Sequence, residues 1–187
     1  YESDYCFVGG YFGANREIET ALQADDIQGR FKLFGEGWEE HAALRKFHQG
    51  GIDYAKVPEV YRSCRIVLDD ANHATKTWGS VNSRVFDALA AGALVITNGE
   101  EGAAEVFKGA LPVYRDAAEL KKMIEYFLSH EEERQASMEK CRNIVLEKHT
   151  YQHRVREFKE ILLDFAARKL RIAIKTPVPS ERIKHEW

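Results

Sequence analysis

The run Ser80-Val-Asn-Ser-Arg-Val-Phe-Asp-Ala-Leu-Ala-Ala-Gly-Ala-Leu-Val-Ile-Thr97 decides how this chain is read. It begins as a polar loop, continues as a helix over 82–91, turns at Gly92 and ends in a buried strand over 93–97. Ser80, Asn82 and Ser83 are capping residue types, and a helix start of this kind leaves its first backbone N–H groups free for an anion. Asp87 lies one helical turn beyond Ser83 and points to a similar side. A phosphate at the helix start with a sugar hydroxyl at the carboxylate is a nucleotide geometry. The same residues also suit a capped amphipathic helix with a solvated carboxylate and no ligand. Arg84 sits in the first turn, where the helix dipole disfavours a cation, which points to an anionic partner.

Upstream of this run, apolar stretches alternate with helical patterns. Strands are expected at 5–8, 30–34, 52–54 (weakly) and 65–68. Helices are expected over 16–24, 41–48 and 58–63, the last opened by Pro58. A long polar loop, 69–79, follows the fourth strand. Downstream, the pattern predicts a short helix over 103–107, a short strand over 111–114, and helices over 116–128 and 131–148. A final helix begins near Thr150, its apolar face carrying Tyr151, Val155, Phe158, Leu162 and Phe165. This alternation specifies an α/β fold, a doubly wound parallel sheet of Rossmann-like type with C-terminal helices. Residues 1–174 are expected to form one Rossmann-like domain, with 175–187, carrying Pro177 and Pro179, as a linker or tail. Such sheets bind ligands at the carboxyl ends of their strands.

The totals narrow the possible functions. The chain has 187 residues, enough for one ordinary domain with a full core. Hydrophobic content is 44% and charged content 30%, the profile of a globular protein. The net charge of -3 gives neither sign dominance, so neither a nucleic-acid partner nor a charged membrane surface is indicated. No apolar stretch approaches the roughly 20 residues of a membrane-spanning helix. The cysteines, Cys6, Cys64 and Cys141, are widely spaced without a CxxC pair, which argues against a disulfide framework or zinc site and fits a reducing, cytoplasmic setting. The start at Tyr1, without Met, suggests a fragment.

Other loops on the same expected edge carry weaker signals. Gly9-Gly10-Tyr-Phe-Gly13 follows the first strand but lacks dinucleotide GxGxxG spacing, so Gly10 is either a ligand-approach position or part of a plain turn. Arg16 can reach a diphosphate from there, or serve the surface. Gly35-Glu-Gly-Trp38 places Glu36 and His41 within reach of an acceptor, with Trp38 as core or pocket wall. Tyr54 can pack on a base, or merely precede a helix that covers the sheet. Lys76 can neutralise a diphosphate as a point charge. Asp69-Asp70 invites a metal reading, but without DxD spacing it is set aside. No metal and no resident cofactor is expected.

The ordered pieces Val57-Pro-Glu-Val-Tyr61, Arg65-Ile-Val-Leu-Asp69, Asp87-Ala-Leu-Ala-Ala-Gly-Ala-Leu-Val-Ile-Thr97 and Gly102-Ala-Ala-Glu-Val106 resemble the C-terminal half of GT-B glycosyltransferases, with the CgeB-like branch of the group 1 glycosyltransferases as nearest look-alike. That branch shares Phe7-Val-Gly-Gly10, Arg16-Glu17, His149-Thr-Tyr151 and Arg154. The resemblance covers about residues 4–165 and implies metal-independent sugar transfer from a nucleotide-sugar donor to a glycan or glycoprotein acceptor, such as a bacterial surface polysaccharide. It also implies a missing N-terminal GT-B domain that completes the cleft and supplies the catalytic base, so that the isolated fragment is inactive. In the wider group a Glu-seven-residues-Glu motif spans the helix. Its second Glu, which holds the ribose, matches Asp87; its first falls on Gly79, so that acidic contact is absent. Residues 80–83 match the position where backbone amides face the diphosphate, with Lys76 and Arg16 as further stabilising cations.

Two other readings remain open. One is a non-catalytic nucleotide-binding or scaffold module of the same fold, which the absent first Glu favours. The other is a receiver-type signalling domain, which the glycine turn after the first strand and the lack of a phospho-acceptor Asp after the third argue against.

Overall fold

A computed structural model describes residues 1–11 and 16–170. The chain divides into two compact units, Tyr1–Lys148 and His149–Trp187. The first unit is built on four strands: β1 (Ser3–Val8), β2 (Phe31–Phe34), β3 (Cys64–Leu68) and β4 (Leu94–Ile96). They form one sheet in the order β2-β1-β3-β4, and every pairing is parallel.

Parallel strands covered on both faces read as unbroken apolar runs, because each successive side chain enters a core on one side or the other. β1 shows this directly. Tyr5 and Phe7 enter one core, with Ile66, Leu68 and Ile96 from the neighbouring strands. Cys6 enters the other, with Val67 and Val95. The first core is closed by α1 (Glu17–Ala21) through Ile18 and by α6 (Ala117–Ser129) through Leu120 and Ile124. The second is closed by α2 (Val57–Arg62), α4 (Ser83–Ala91), α5 (Glu100–Phe107) and α7 (Glu131–Lys148). Helices on both faces of a parallel sheet make the fold doubly wound. Burying one large aliphatic side chain in such a core is worth about 1.5–3 kcal/mol, so these two layers dominate stability.

α4 is the central helix of the second layer. Val85, Ala88 and Leu89 are buried, at the three- and four-residue steps of one helical face. Gly92, with φ of 95°, ends the helix in the left-handed conformation, and β4 starts two residues later. The helices expected over 116–128 and 131–148 appear as α6 and α7, the first capped by the Asp116 side chain accepting from the Glu119 N–H.

Four local expectations are corrected. Residues 52–54 form no strand; Tyr54–Lys56 is a single 3-10 turn capped by Asp53. The helix expected over 41–48 reduces to a 3-10 turn at Arg45–Phe47. The strand expected over 111–114 is only an isolated bridge between Thr97 and Val113. The supposed loop 69–79 contains a short helix, α3 (His73–Thr77), whose start is capped by Asn72 accepting from the Thr75 N–H. In each case a short segment with weak periodicity followed local capping chemistry and the space left by its neighbours. In the second unit, α8 spans Tyr151–Leu170, with Val155, Phe158 and Leu162 exposed. Gly13 and the tail expected at 175–187 lie outside the described residues.

Candidate functional site

The strand order has its switch point between β1 and β3: the chain leaves β1 for β2 on one side and returns to β3 on the other. The crevice at the carboxyl ends of such strands is the usual ligand position. Here a side chain fills it. Arg84 of α4 donates through Nε to the Val8 carbonyl at 2.8 Å and pairs through Nη1 with Asp69 Oδ1 at 2.6 Å. Its guanidinium also lies over the Phe7 ring, 4.7 Å from the centroid. Gly9 makes the room: a Cβ there would stand 2.8 Å from Arg84 Nη2. The anionic partner that the position of Arg84 called for is thus Asp69 of the same chain.

Asp69 and Asp70 are both buried, and each is surrounded by donors. Thr97 Oγ1 donates to Asp69 Oδ2 at 2.7 Å, and Asn82 Nδ2 to Asp69 Oδ1 at 2.9 Å. Arg16 reaches Asp70 Oδ2 at 3.3 Å, and Asn98 Nδ2 reaches Asp70 Oδ1 at 3.3 Å. Burial raises the Asp70 carboxyl above the usual range, against the lowering effect of Arg16. Lys76 binds Glu17 at 2.5 Å, and Asn98 Nδ2 adds a bond to the same carboxylate at 2.9 Å. Burial acts to raise Glu17, but the hydrogen bonds from Lys76 and Asn98 prevail and hold it low. Sequence reasoning missed Asp69, Asn98 and Thr97 as a linked set. Two carboxylates directly after an apolar strand were the signal, since buried acids require cationic partners.

These bonds have a consequence for α4. Asn82 stands at its N-cap, yet its amide is turned away to Asp69 and to the Asp70 carbonyl. No side chain caps the helix: the Val85 N–H turns back to the Asn82 carbonyl at 3.0 Å, and the N–H groups of the exposed Ser83 and of Arg84 are left without a capping side chain. Further along, Asp87 is half-buried and makes no hydrogen bond or ion pair with the described residues. Burial alone raises its carboxyl above the usual range. Its negative charge adds to the effect of burial in raising the Tyr61 phenol of α2.

The remaining candidates divide. Ser80 and Lys76 line an open cleft of about 230 Å³, together with Gly79, Asn98 and the start of α5. Gly79, with φ of 57°, has no side chain where the resemblance leads one to expect the first acid; a Cβ there would lie 3.4 Å from Glu101 Oε2. Gly102 lets α5 approach this loop, since a Cβ at 102 would meet the Gly79 carbonyl oxygen at 2.7 Å. Gly10 lies in the turn after β1, pressed against the 35–37 loop through Tyr11 N–H donating to the Glu36 carbonyl at 2.7 Å. Tyr54 is 74% exposed in the turn before α2. Trp38 is fully buried core, and His41 pairs with Glu19 at 3.4 Å. Among the described residues, no group of three or more His, Cys, Asp or Glu side chains can hold a metal ion.

Solved structures share this architecture. T4 phage BGT in complex with UDP and Mn2+ superposes with a TM-score of 0.64 at 15% identity, over 91% of this chain and 48% of that one. A point mutant of T4 phage BGT in complex with UDP-glucose gives 0.63 at 16% identity, over 78% and 43%. S. aureus TarM, a mutant in complex with Fondaparinux, alpha-GlcNAc-glycerol and UDP, gives 0.60 at 11% identity, over 84% and 35%. The chain thus spans under half the length of these proteins, and the shared fold is that of a GT-B glycosyltransferase domain. No curated protein shows significant sequence similarity to it. No helix among the described residues is long and apolar enough to cross a membrane. The Glycosyl transferase-like family matches residues 16–160, most of the sheet and its helices, and the chain belongs to that family.

Proposed function

We propose that this chain is the donor-binding domain of a metal-independent glycosyltransferase, binding a nucleoside diphosphate-sugar and transferring its sugar to a glycan or glycoprotein. The observation that carries the reading is Asp87: a half-buried carboxylate without an internal partner, one turn along a helix whose first N–H groups are uncapped. The helix start receives the diphosphate, and Asp87 accepts from ribose hydroxyls. The two solved structures with UDP or UDP-glucose bound to T4 phage BGT support a uridine nucleotide as first probe.

In the transfer, an acceptor hydroxyl oxygen attacks the anomeric carbon while the bond from that carbon to the β-phosphate oxygen breaks. The hydroxyl proton goes to a base on a second, N-terminal domain that completes the cleft. The charge left on the diphosphate falls on the α4 N–H groups. Arg16 is committed to the buried Asp70, whereas the Lys76–Glu17 pair is partly exposed, so Lys76 is the cation able to turn toward the diphosphate. Cytoplasmic location and a CgeB-like specificity belong to the same proposal.

Calorimetric titration with UDP, GDP, dTDP and CDP, with and without Mn2+, tests it. Selective metal-independent binding that disappears in Asp87→Ala is expected; binding to none of the four refutes the donor site. The bare Gly79 favours a second reading, a non-catalytic nucleotide-binding module, which nucleotide affinity without turnover in the full-length protein would establish.

A further inference from the structure

We infer that Glu17 is an internal competitor for the diphosphate of the sugar donor: it holds the Lys76 ammonium until the phosphates arrive and then gives it up, so that this contact sets how tightly the nucleotide binds. The inference rests on the diphosphate reading above and concerns the regulation of that same site. Lys76 Nζ donates to both oxygens of Glu17, at 2.7 Å to Oε1 and 2.5 Å to Oε2. The bond ties α3 to α1 across 59 residues of sequence. None of the residues of α3 is buried, so charge rather than packing makes the tie. Lys76 also lines a cleft with Ser80, two residues before the start of α4. The ammonium thus stands between two anionic claims, the Glu17 carboxylate and a diphosphate at the helix start.

Whether an ion pair can exchange depends on what its carboxylate loses. The neighbouring Arg16–Asp70 pair is locked, because the Asp70 side chain is fully buried and losing its cation would strand a buried charge. Glu17 is in the opposite position. Its side chain is partly exposed to water, and Asn98 Nδ2 already donates to Oε2 at 2.9 Å. Asn98 is itself fixed, its Oδ1 accepting from the buried Ala71 N–H at 2.6 Å. When Lys76 leaves, Asn98 and water therefore satisfy the carboxylate. The lysine stem has four flexible carbons, so the ammonium can turn without moving the backbone of α3. A surface tie and nothing more accounts for two opposite charges in contact. It does not account for a second hydrogen-bond donor on the same oxygen, or for the place of the cation at the cleft. Against the effect of burial, the bonds from Lys76 and Asn98 hold the Glu17 carboxyl low, so it is ionised and competes at neutral pH.

The test titrates inorganic pyrophosphate and UDP into the 187-residue chain, Glu17→Gln, Lys76→Met and the double variant. Gln keeps the shape of the side chain and its bond from Asn98 while removing the charge. Glu17→Gln should bind both anions about two- to fivefold more tightly, the worth of an exposed ion pair read as a binding constant. Lys76→Met should weaken both. In the Lys76→Met background Glu17→Gln should change nothing, because no ammonium remains to be released. A gain of full size in that background would mean that Glu17 only repels the anion through space, and the competitor is overturned. It is overturned too if Glu17→Gln leaves both affinities unchanged or lowers them, while UDP binding lost in Asp87→Ala keeps the nucleotide site standing. Pyrophosphate following the expected pattern without any nucleotide binding would sustain the competitor and sink the nucleotide reading. Binding of neither anion by any variant overturns both.

Discussion

Asp69 lies against the start of α4 and Asp87 one turn along it, under opposite conditions. Asp69 is saturated: Arg84, Asn82 and Thr97 all donate to it, and its side chain is only 2% exposed. Asp87 is half-buried and accepts from no described side chain or backbone group. A carboxylate such as Asp69 is a structural tie, because both of its oxygens are already engaged inside the protein. An unsaturated one, held partly out of water by the protein, is raised in energy until something polar arrives. The Arg84–Asp69 tie occupies the ground beside the end of β1, and the open ground is the cleft lined by Lys76, Ser80 and Asn98.

The largest effect should come from cutting the tie. Arg84→Met leaves Asp69 buried without its cation, and breaking a buried pair from one side costs about 3–5 kcal/mol. Urea denaturation reads this directly. A shift below about 1 kcal/mol would mean that Thr97 and Asn82 suffice to hold the carboxylate.

Next is Gly102→Ala, where a Cβ would stand 2.7 Å from the Gly79 carbonyl oxygen. Overpacking of this kind costs about 1–3 kcal/mol, and it should also pry open the cleft. The thermal melting temperature should fall; an unshifted melt would show that the loop is free to give way.

On the open side, Asp87→Asn should weaken UDP about tenfold or more, the value of a hydrogen bond to a charged group, while leaving stability equal or higher. The sign follows from burial. The folded carboxyl titrates above its unfolded value, so the folded state holds the proton longer, and the penalty for ionising is absent below the unfolded pKa and complete above the folded one. Asn removes that penalty at neutral pH and changes nothing in acid. UDP affinity of the wild-type chain should decline on acidification earlier than an ordinary aspartate would dictate, and this decline should vanish in Asp87→Asn.

The smallest effect is Lys76→Met. Its pair with Glu17 is 33% and 54% exposed, so the stability change should stay within about 1 kcal/mol. Glu17 is held low in the folded state, so what stability it contributes is present above its unfolded pKa and lost as pH falls through the folded one. A stability loss well beyond that range would place Lys76 among the structural ties.

Local sequence determined the periodic elements. Three- and four-residue apolar steps in α4, unbroken apolar runs in β1, β3 and β4, and Gly92 after the helix specify their own conformations from within a dozen neighbours. The placement of Ser83 and Asp87 on α4 was legible for the same reason, because the two are fixed relative to each other by one helical turn. Short segments were not: 52–54, 41–48 and 111–114 lack enough periodicity to outweigh capping and packing.

Tertiary structure alone decided which charges are spent. Arg84 and Asp69 are 15 residues apart, Arg16 and Asp70 54 apart, and Gly79 meets Glu101 only because Gly102 admits close packing. Whether a carboxylate is a tie or a binding group depends on partners brought from other elements and on the water they exclude. Spacing along the chain carries neither quantity.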